Sequence, residues 1–228
     1  MGAQRYLATI LPLIERLGTE EIGAIERAGE AVAAAIGGGG RVWMARTSHA
    51  LHDEATHRAG GLMAVHVLHD PVAIQPGDAV IAGTNAGTTF LAVETARLAR
   101  ARGATLIALT QMPYEAHPDV ILEHPSGRRL HEEADIVIDL GGAVGDGELP
   151  LIPGAPAVLP SSGATGVVAL WMVFGLAVER LVAAGTPPLV WQSIQLPGAA
   201  ERNAPVLAGY RRTGVGYEAR EAKREPDA

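Results

Sequence analysis

The sequence contains no cysteine, which excludes disulfides, thiolate zinc centres and cysteine nucleophiles and accords with a reducing compartment. Positive charge is scarce as well: 18 Lys and Arg stand against 25 Asp and Glu, a formal net charge of −7. Nucleic-acid and anionic-membrane surfaces depend on clustered Lys and Arg, so neither nucleic acid nor membrane is expected as a partner. The opening residues, MGAQRYLATILPLIERLG, lack a basic start, a long apolar core and a small-residue cleavage site, so no signal peptide is read and a cytoplasmic protein is expected. The run from Leu149 to Val178 carries no formal charge, but prolines at 150, 153, 156 and 160 leave only part of it as helix. A membrane span needs ~20 apolar residues, and the run is therefore expected to be a core helix.

What is present points to one α/β domain. The chain has 228 residues, 48% of them hydrophobic, enough to fill a sizeable core. Residues 4–17 and 19–36 read as two helices, the second opened by Thr19 and closed by the GGGG at 37–40. Beyond that glycine stop, short apolar runs at 41–45, 62–68, 78–83, 105–110 and 134–140 alternate with helical spacing at 48–58 and 164–184. The segment PLVWQSI at 188–194 is read as an extension of the sheet. Such alternation predicts right-handed crossovers and a mainly parallel sheet covered on both faces. The expected organisation is a helical lead-in over 1–40, a domain over 41–213 and a frayed tail over 214–228.

Ligands of parallel sheets sit beyond the carboxyl ends of the strands, which draws four loops together: 45–49, 84–88, 110–117 and 160–165. Three of them are rich in hydroxyls and glycines, RTSH, GTNAGTT and PSSGATG. Helix capping explains any one of these by itself. Together, at one sheet edge and at helix starts, they suit a phosphate met by neutral donors. No P-loop G-x-x-x-x-G-K and no G-x-G-x-x-G after a strand occurs, so no nucleotide cofactor is expected.

The order of RAGG at 58–61, TNAGTT at 84–89, HPSGRRLHEEADIVID at 124–139 and PSSGATG at 160–166 resembles the sugar isomerase (SIS) domain family, in particular stand-alone members with a helical lead-in. The resemblance covers roughly residues 6–212. It implies a three-layer, flavodoxin-like α/β sandwich with a five-stranded parallel sheet, a homodimer or higher homo-oligomer, and a phosphorylated sugar as ligand, with no further cofactor. Carried over position by position, Thr84, Asn85, Gly87, Thr88, Ser161 and Ser162 hold the phosphosugar, with Ser48 and Thr110 beside them. The first loop departs from the subgroup's Gly-Thr-Gly-His-Ser turn: MARTSH keeps Ser48 and His49 but has Met44 and Arg46 for the glycines. Arg46 is expected to compensate by pairing with the phosphate.

Aldose–ketose isomerisation moves a proton between neighbouring carbons through an enediol, for which a carboxylate and a histidine are the natural pair. Glu54 matches a glutamate of the subgroup and stands five residues after His49, making these two the expected catalytic residues, with Glu201 in reserve. His49, His52 and His57 lack metal-site spacing, so no metal is expected. The same loops would serve a catalytically silent phosphosugar sensor, or an etherase-like lyase acting on an amino-sugar phosphate. Self-association is expected from the uncharged helix 163–178, with Trp171 and Phe174 read as outward-facing.

Overall fold

Five apolar segments form one parallel sheet in the computed structural model, which describes residues 1–49, 51–56, 58–114 and 117–213; the expected frayed tail lies outside them. The strands are β1 (Val42–Ala45), β2 (Val65–Leu68), β3 (Ala79–Thr84), β4 (Thr105–Thr110) and β5 (Ile136–Asp139), in the order β2-β1-β3-β4-β5. Because the pleat alternates, each strand feeds two cores. Val42, Met44, Ile81, Ile107 and Leu109 pack in a cluster with α2 (Ile22–Gly37) and α6 (Ser162–Ala183). Trp43, Ala45, Val80, Leu106 and Ala108 pack on the other side, with Ala96 and Ala99 of α4 (Phe90–Ala101) and Leu130 of the short α5 (Leu130–Glu133). This is the expected three-layer α/β sandwich.

The structure corrects four expectations. Thr19 does not open the second helix; it ends α1 (Gly2–Thr19), where its hydroxyl donates to the Glu15 carbonyl at 3.2 Å. Nor does Glu21, which precedes α2, cap it: its carboxylate accepts from the Asp139 backbone N–H at 3.1 Å. The helical stretch at 48–58 shrinks to α3 (Leu51–Ala55). The segment 188–194 adds no strand to the sheet: Val190 makes a single antiparallel bridge to Leu62, ahead of β2. Pro187 and Pro188 before it and the turn at Ser193–Leu196 after it leave too little chain for a longer pairing. Trp171 and Phe174 do not face outward; they meet edge to face at 5.7 Å, with Phe174 buried in the α2/α6 core.

A further element was not foreseen: an antiparallel hairpin of β6 (Gly147–Leu149) and β7 (Val158–Pro160) leads into α6. Helix α6 is long and apolar enough to cross a membrane by composition, but it lies along α2. The two approach closely at Gly29, where an added Cβ would stand 2.7 Å from Leu176 Cβ. Helix α1 is tied to the carboxyl end of the sheet, because Arg16 donates to both the backbone carbonyl and the carboxylate of Asp139, at 2.9 and 2.8 Å. The chain ends, within the described residues, in α7 (Ala199–Thr213).

Candidate functional site

Strand order reverses between β1 and β3, and the crevice outside such a switch point is where parallel sheets receive ligands. The three hydroxyl-rich segments meet there around a cleft of about 290 Å³, with Ser48 and His49 after β1, Thr84 ending β3 and Asn85 following it, and Ser162 at the start of α6. Among the described residues, Ser48 Oγ is buried without a hydrogen-bond partner. A buried hydroxyl left unpaired is costly, roughly 1–3 kcal/mol, and a ligand oxygen in the cleft would satisfy it.

The walls are braced by residues next to these donors. Thr110, expected as a ligand contact, is buried and donates its hydroxyl to the Asn85 carbonyl at 2.9 Å, which also accepts from the Gln111 N–H. It acts as a strut under the Thr84–Asn85 turn. The Gly87 carbonyl accepts from the Leu130 N–H at 2.8 Å, and the carbonyl of buried Thr88 accepts from the Glu123 N–H at 3.1 Å. At the start of α4 the Phe90 N–H meets the Glu123 carboxylate at 3.0 Å.

The beginning of α6 is likewise occupied by the protein's own acids. Asp146 accepts from the N–H groups of Ser161 and Ser162 at 3.3 and 3.0 Å and from the Ser162 hydroxyl at 2.8 Å. Ser161 is fully buried and donates to Glu148 at 2.6 Å. Asp146 also lines the cleft. Carboxylates at helix N-termini are stabilised by the exposed N–H groups and the dipole, so an incoming phosphate would have to displace Asp146 or bind beside it. Sequence reasoning missed Asp146, Glu148, Glu123 and Gln111. A signal for the first two was available in GGAVGDGE at 141–148, a glycine-dense loop carrying two acids just before the α6 serines. Gly142 is required there: its φ is +91°, and a Cβ would collide with Gln111 Nε2 and stand 2.5 Å from Ser161 Oγ.

Six expected residues, Gly87, Thr88, Thr110, Ser161, Arg46 and Glu54, do not line this cleft. Arg46 is directed to a different concavity, lined also by His52 and His69. Glu54 does not line the cleft either: its carboxylate is bonded to Arg58 at 2.8 Å and accepts from the Trp171 indole N–H at 3.3 Å. Glu201 stands exposed in the first turn of α7. His57 lies outside the described residues. Trp43 is fully buried, its indole N–H donating to Asp78 at 2.7 Å, and Trp191 is buried too.

No family model matches the chain. A UPF0309 protein of Listeria innocua is 30% identical over 234 residues, covering 90% of this chain and 94% of its own. Phosphoheptose isomerase GmhA from Neisseria gonorrhoeae superposes with a TM-score of 0.53 at 13% identity, over 76% of this chain and 96% of that one. A protein from Methanococcus jannaschii, whose crystal structure infers a molecular function of 3-hexulose-6-phosphate isomerase, superposes with a TM-score of 0.53 at 14% identity, over 80% and 92%. With the strand order β2-β1-β3-β4-β5 and helices on both faces, these likenesses place the protein: the chain has the SIS-domain fold and belongs to the UPF0309 family.

Proposed function

We propose that this chain binds a phosphorylated sugar in the cleft at the β1/β3 switch point and isomerises it between aldose and ketose forms. The observation that carries the binding part is that one cleft gathers Thr84, Asn85, Ser162 and Ser48, whose buried hydroxyl has no hydrogen-bond partner among the described residues. Neutral hydroxyl and amide donors suit the phosphate and hydroxyl oxygens of such a ligand, and the fold shared with a phosphoheptose isomerase and with an inferred hexulose-phosphate isomerase supports the same class. For the chemistry, His49 is the histidine at the cleft and would move the hydroxyl proton. Glu54 would serve as the carbon base once freed from Arg58.

A second reading is a phosphosugar sensor that binds without turnover. It is favoured by one observation: Glu54 is held by Arg58 and Trp171 and stands outside the cleft lining. Incubation with a panel of sugar phosphates, followed by product analysis and thermal melting, tests both. Isomerised product, reduced at least a hundredfold by His49→Gln or Glu54→Gln with binding retained, supports the isomerase; phosphate-dependent stabilisation without product supports the sensor. Neither turnover nor stabilisation with any compound would sink the phosphosugar reading itself.

The same proposal includes self-association. Beside the start of α4, Phe90, Leu91, Ile121 and Leu122 are 50, 54, 79 and 40% exposed, and the Phe90 ring stacks on His124 at 5.1 Å. An exposed apolar group of this kind fits a surface shared between two copies.

A further inference from the structure

Arg46 replaces a small residue where the resemblance leads one to expect glycine, and the structure shows where it goes. It lines a second concavity of about 380 Å³ that shares no lining residue with the hydroxyl cleft. This second cleft draws Arg46 from the end of β1, His52 from α3, His69 from just after β2, and Leu91 and Thr95 from α4. Among the described residues, its lining has three nitrogen-bearing cationic or ionisable side chains and no Asp or Glu, in a chain whose net charge is −7. Among the described residues, His52 Nδ1 is buried with no hydrogen-bond partner. The Asp53 carboxylate lies by the other ring nitrogen, its Oδ2 3.7 Å from Nε2. Arg46 is exposed and has no hydrogen bond or ion pair among the described residues.

From this juxtaposition we infer a second ligand site, an anion cleft separate from the sugar cleft, that receives the phosphate group of a small phosphorylated molecule. A guanidinium presents a planar fork of N–H donors and pairs well with phosphate. Two imidazoles, His52 on α3 and His69 just after β2, add ring nitrogens to the same lining, and three groups from separate segments suit the several oxygens of a phosphate. Leu91 and Leu68 supply an apolar wall for the organic part of the ligand. The inference does not depend on the sugar reading of the first cleft.

The test is histidine NMR on the full chain labelled at the imidazole Cε1, with inorganic phosphate titrated at constant ionic strength and the His49, His52 and His69 signals assigned from single His→Gln variants. The expected result is a saturable shift of His52 and His69 at low-millimolar phosphate, weakened at least tenfold by Arg46→Gln, with malonate a much poorer ligand. Arg46→Lys keeps the charge without the fork and should give an intermediate affinity; its signal dispersion also shows whether the fold is kept. A linear, unsaturable drift of all histidine signals overturns the inference, as does a saturable shift that Arg46→Gln leaves unchanged. A response confined to His49 overturns it too, because phosphate then enters the sugar cleft alone. A response of His52 and His69 without His49 supports it and leaves the first cleft to be judged by the sugar-phosphate panel.

Discussion

Single residues show how buried polar groups are either satisfied or held ready. Asp78 is buried and accepts from the Arg41 N–H, the Gln75 N–H and the Trp43 indole at 2.8, 2.9 and 2.7 Å, so one carboxylate ties the entrances of β1 and β3 to a core indole. Bonds to a charged acceptor contribute roughly 1.5–3 kcal/mol each, and deleting the acceptor strands its donors. Asp78→Ala is expected to destabilise the fold by about 3 kcal/mol or more, measured by urea unfolding. Ser48 is the contrary case. Its hydroxyl has no partner to lose among the described residues, so Ser48→Ala should not lower stability and should raise it by up to about 1–3 kcal/mol, while weakening sugar-phosphate binding several-fold by calorimetry. An equal loss of stability in Ser48→Ala would show that the hydroxyl has a structural partner and would remove the main support for the cleft as a ligand site.

At the scale of elements, close approach decides where glycine must stand. In α2, Gly29→Ala gains up to about 1 kcal/mol of helix propensity, but its Cβ would sit 2.7 Å from Leu176 Cβ and 3.1 Å from the Val173 carbonyl. Overpacking of this kind costs about 1–3 kcal/mol, and the partner atoms include backbone that cannot rotate away. The net effect expected in urea is destabilisation of up to about 2 kcal/mol, with the sign showing which term wins. The loop joining β5 to β6 carries a comparable constraint with a functional consequence. Gly142→Ala forces an alanine to φ +91° against Gln111 and Ser161, a strain of about 1–3 kcal/mol, and should loosen the Asp146 and Glu148 contacts to the α6 serines. The variant is expected to melt lower and to bind sugar phosphates differently from the parent, since Asp146 borders the cleft.

For the whole molecule, the lead-in helices are part of the architecture. Tyr6 donates to the Pro160 carbonyl at 2.7 Å and Arg16 to Asp139, so α1 joins the end of β5 to the hairpin that delivers Ser161 and Ser162. Removal of residues 1–19 is expected to expose the α6 face and raise dye binding, with a less cooperative urea transition. The proposed self-association predicts a mass by light scattering of about twice the 23.6 kDa of the chain. Replacing Ile121 and Leu122 with Ser should return it toward one chain mass if that surface is the contact. A monomer in the unaltered protein would remove the proposal.

Local patterns in the sequence were sufficient for the β strands of the main sheet and for helices α1, α2 and α6, though not for α7. Apolar runs such as TLIALT at 105–110 and the glycine stop at 37–40 act through neighbouring residues alone, and alternating elements leave few topologies once crossover handedness is fixed. The hydroxyls of Ser48, Thr84 and Ser162 were legible in the same way, because small polar residues after strands and before helices mark the sheet edge. The tertiary path alone decided the rest. Thr110 and Ser161 became struts and Glu54 the acceptor of an indole N–H because their partners, Asn85, Glu148 and Trp171, lie 25, 13 and 117 residues away; only the Glu54–Arg58 ion pair is local. Arg46 was parted from Ser48 by the turn between β1 and α3, and Asp146 was set at the head of α6 by a hairpin with no apolar periodicity of its own. Side-chain roles depend on which groups share a cavity, and that is settled by long-range packing and backbone direction, which no short stretch of sequence contains.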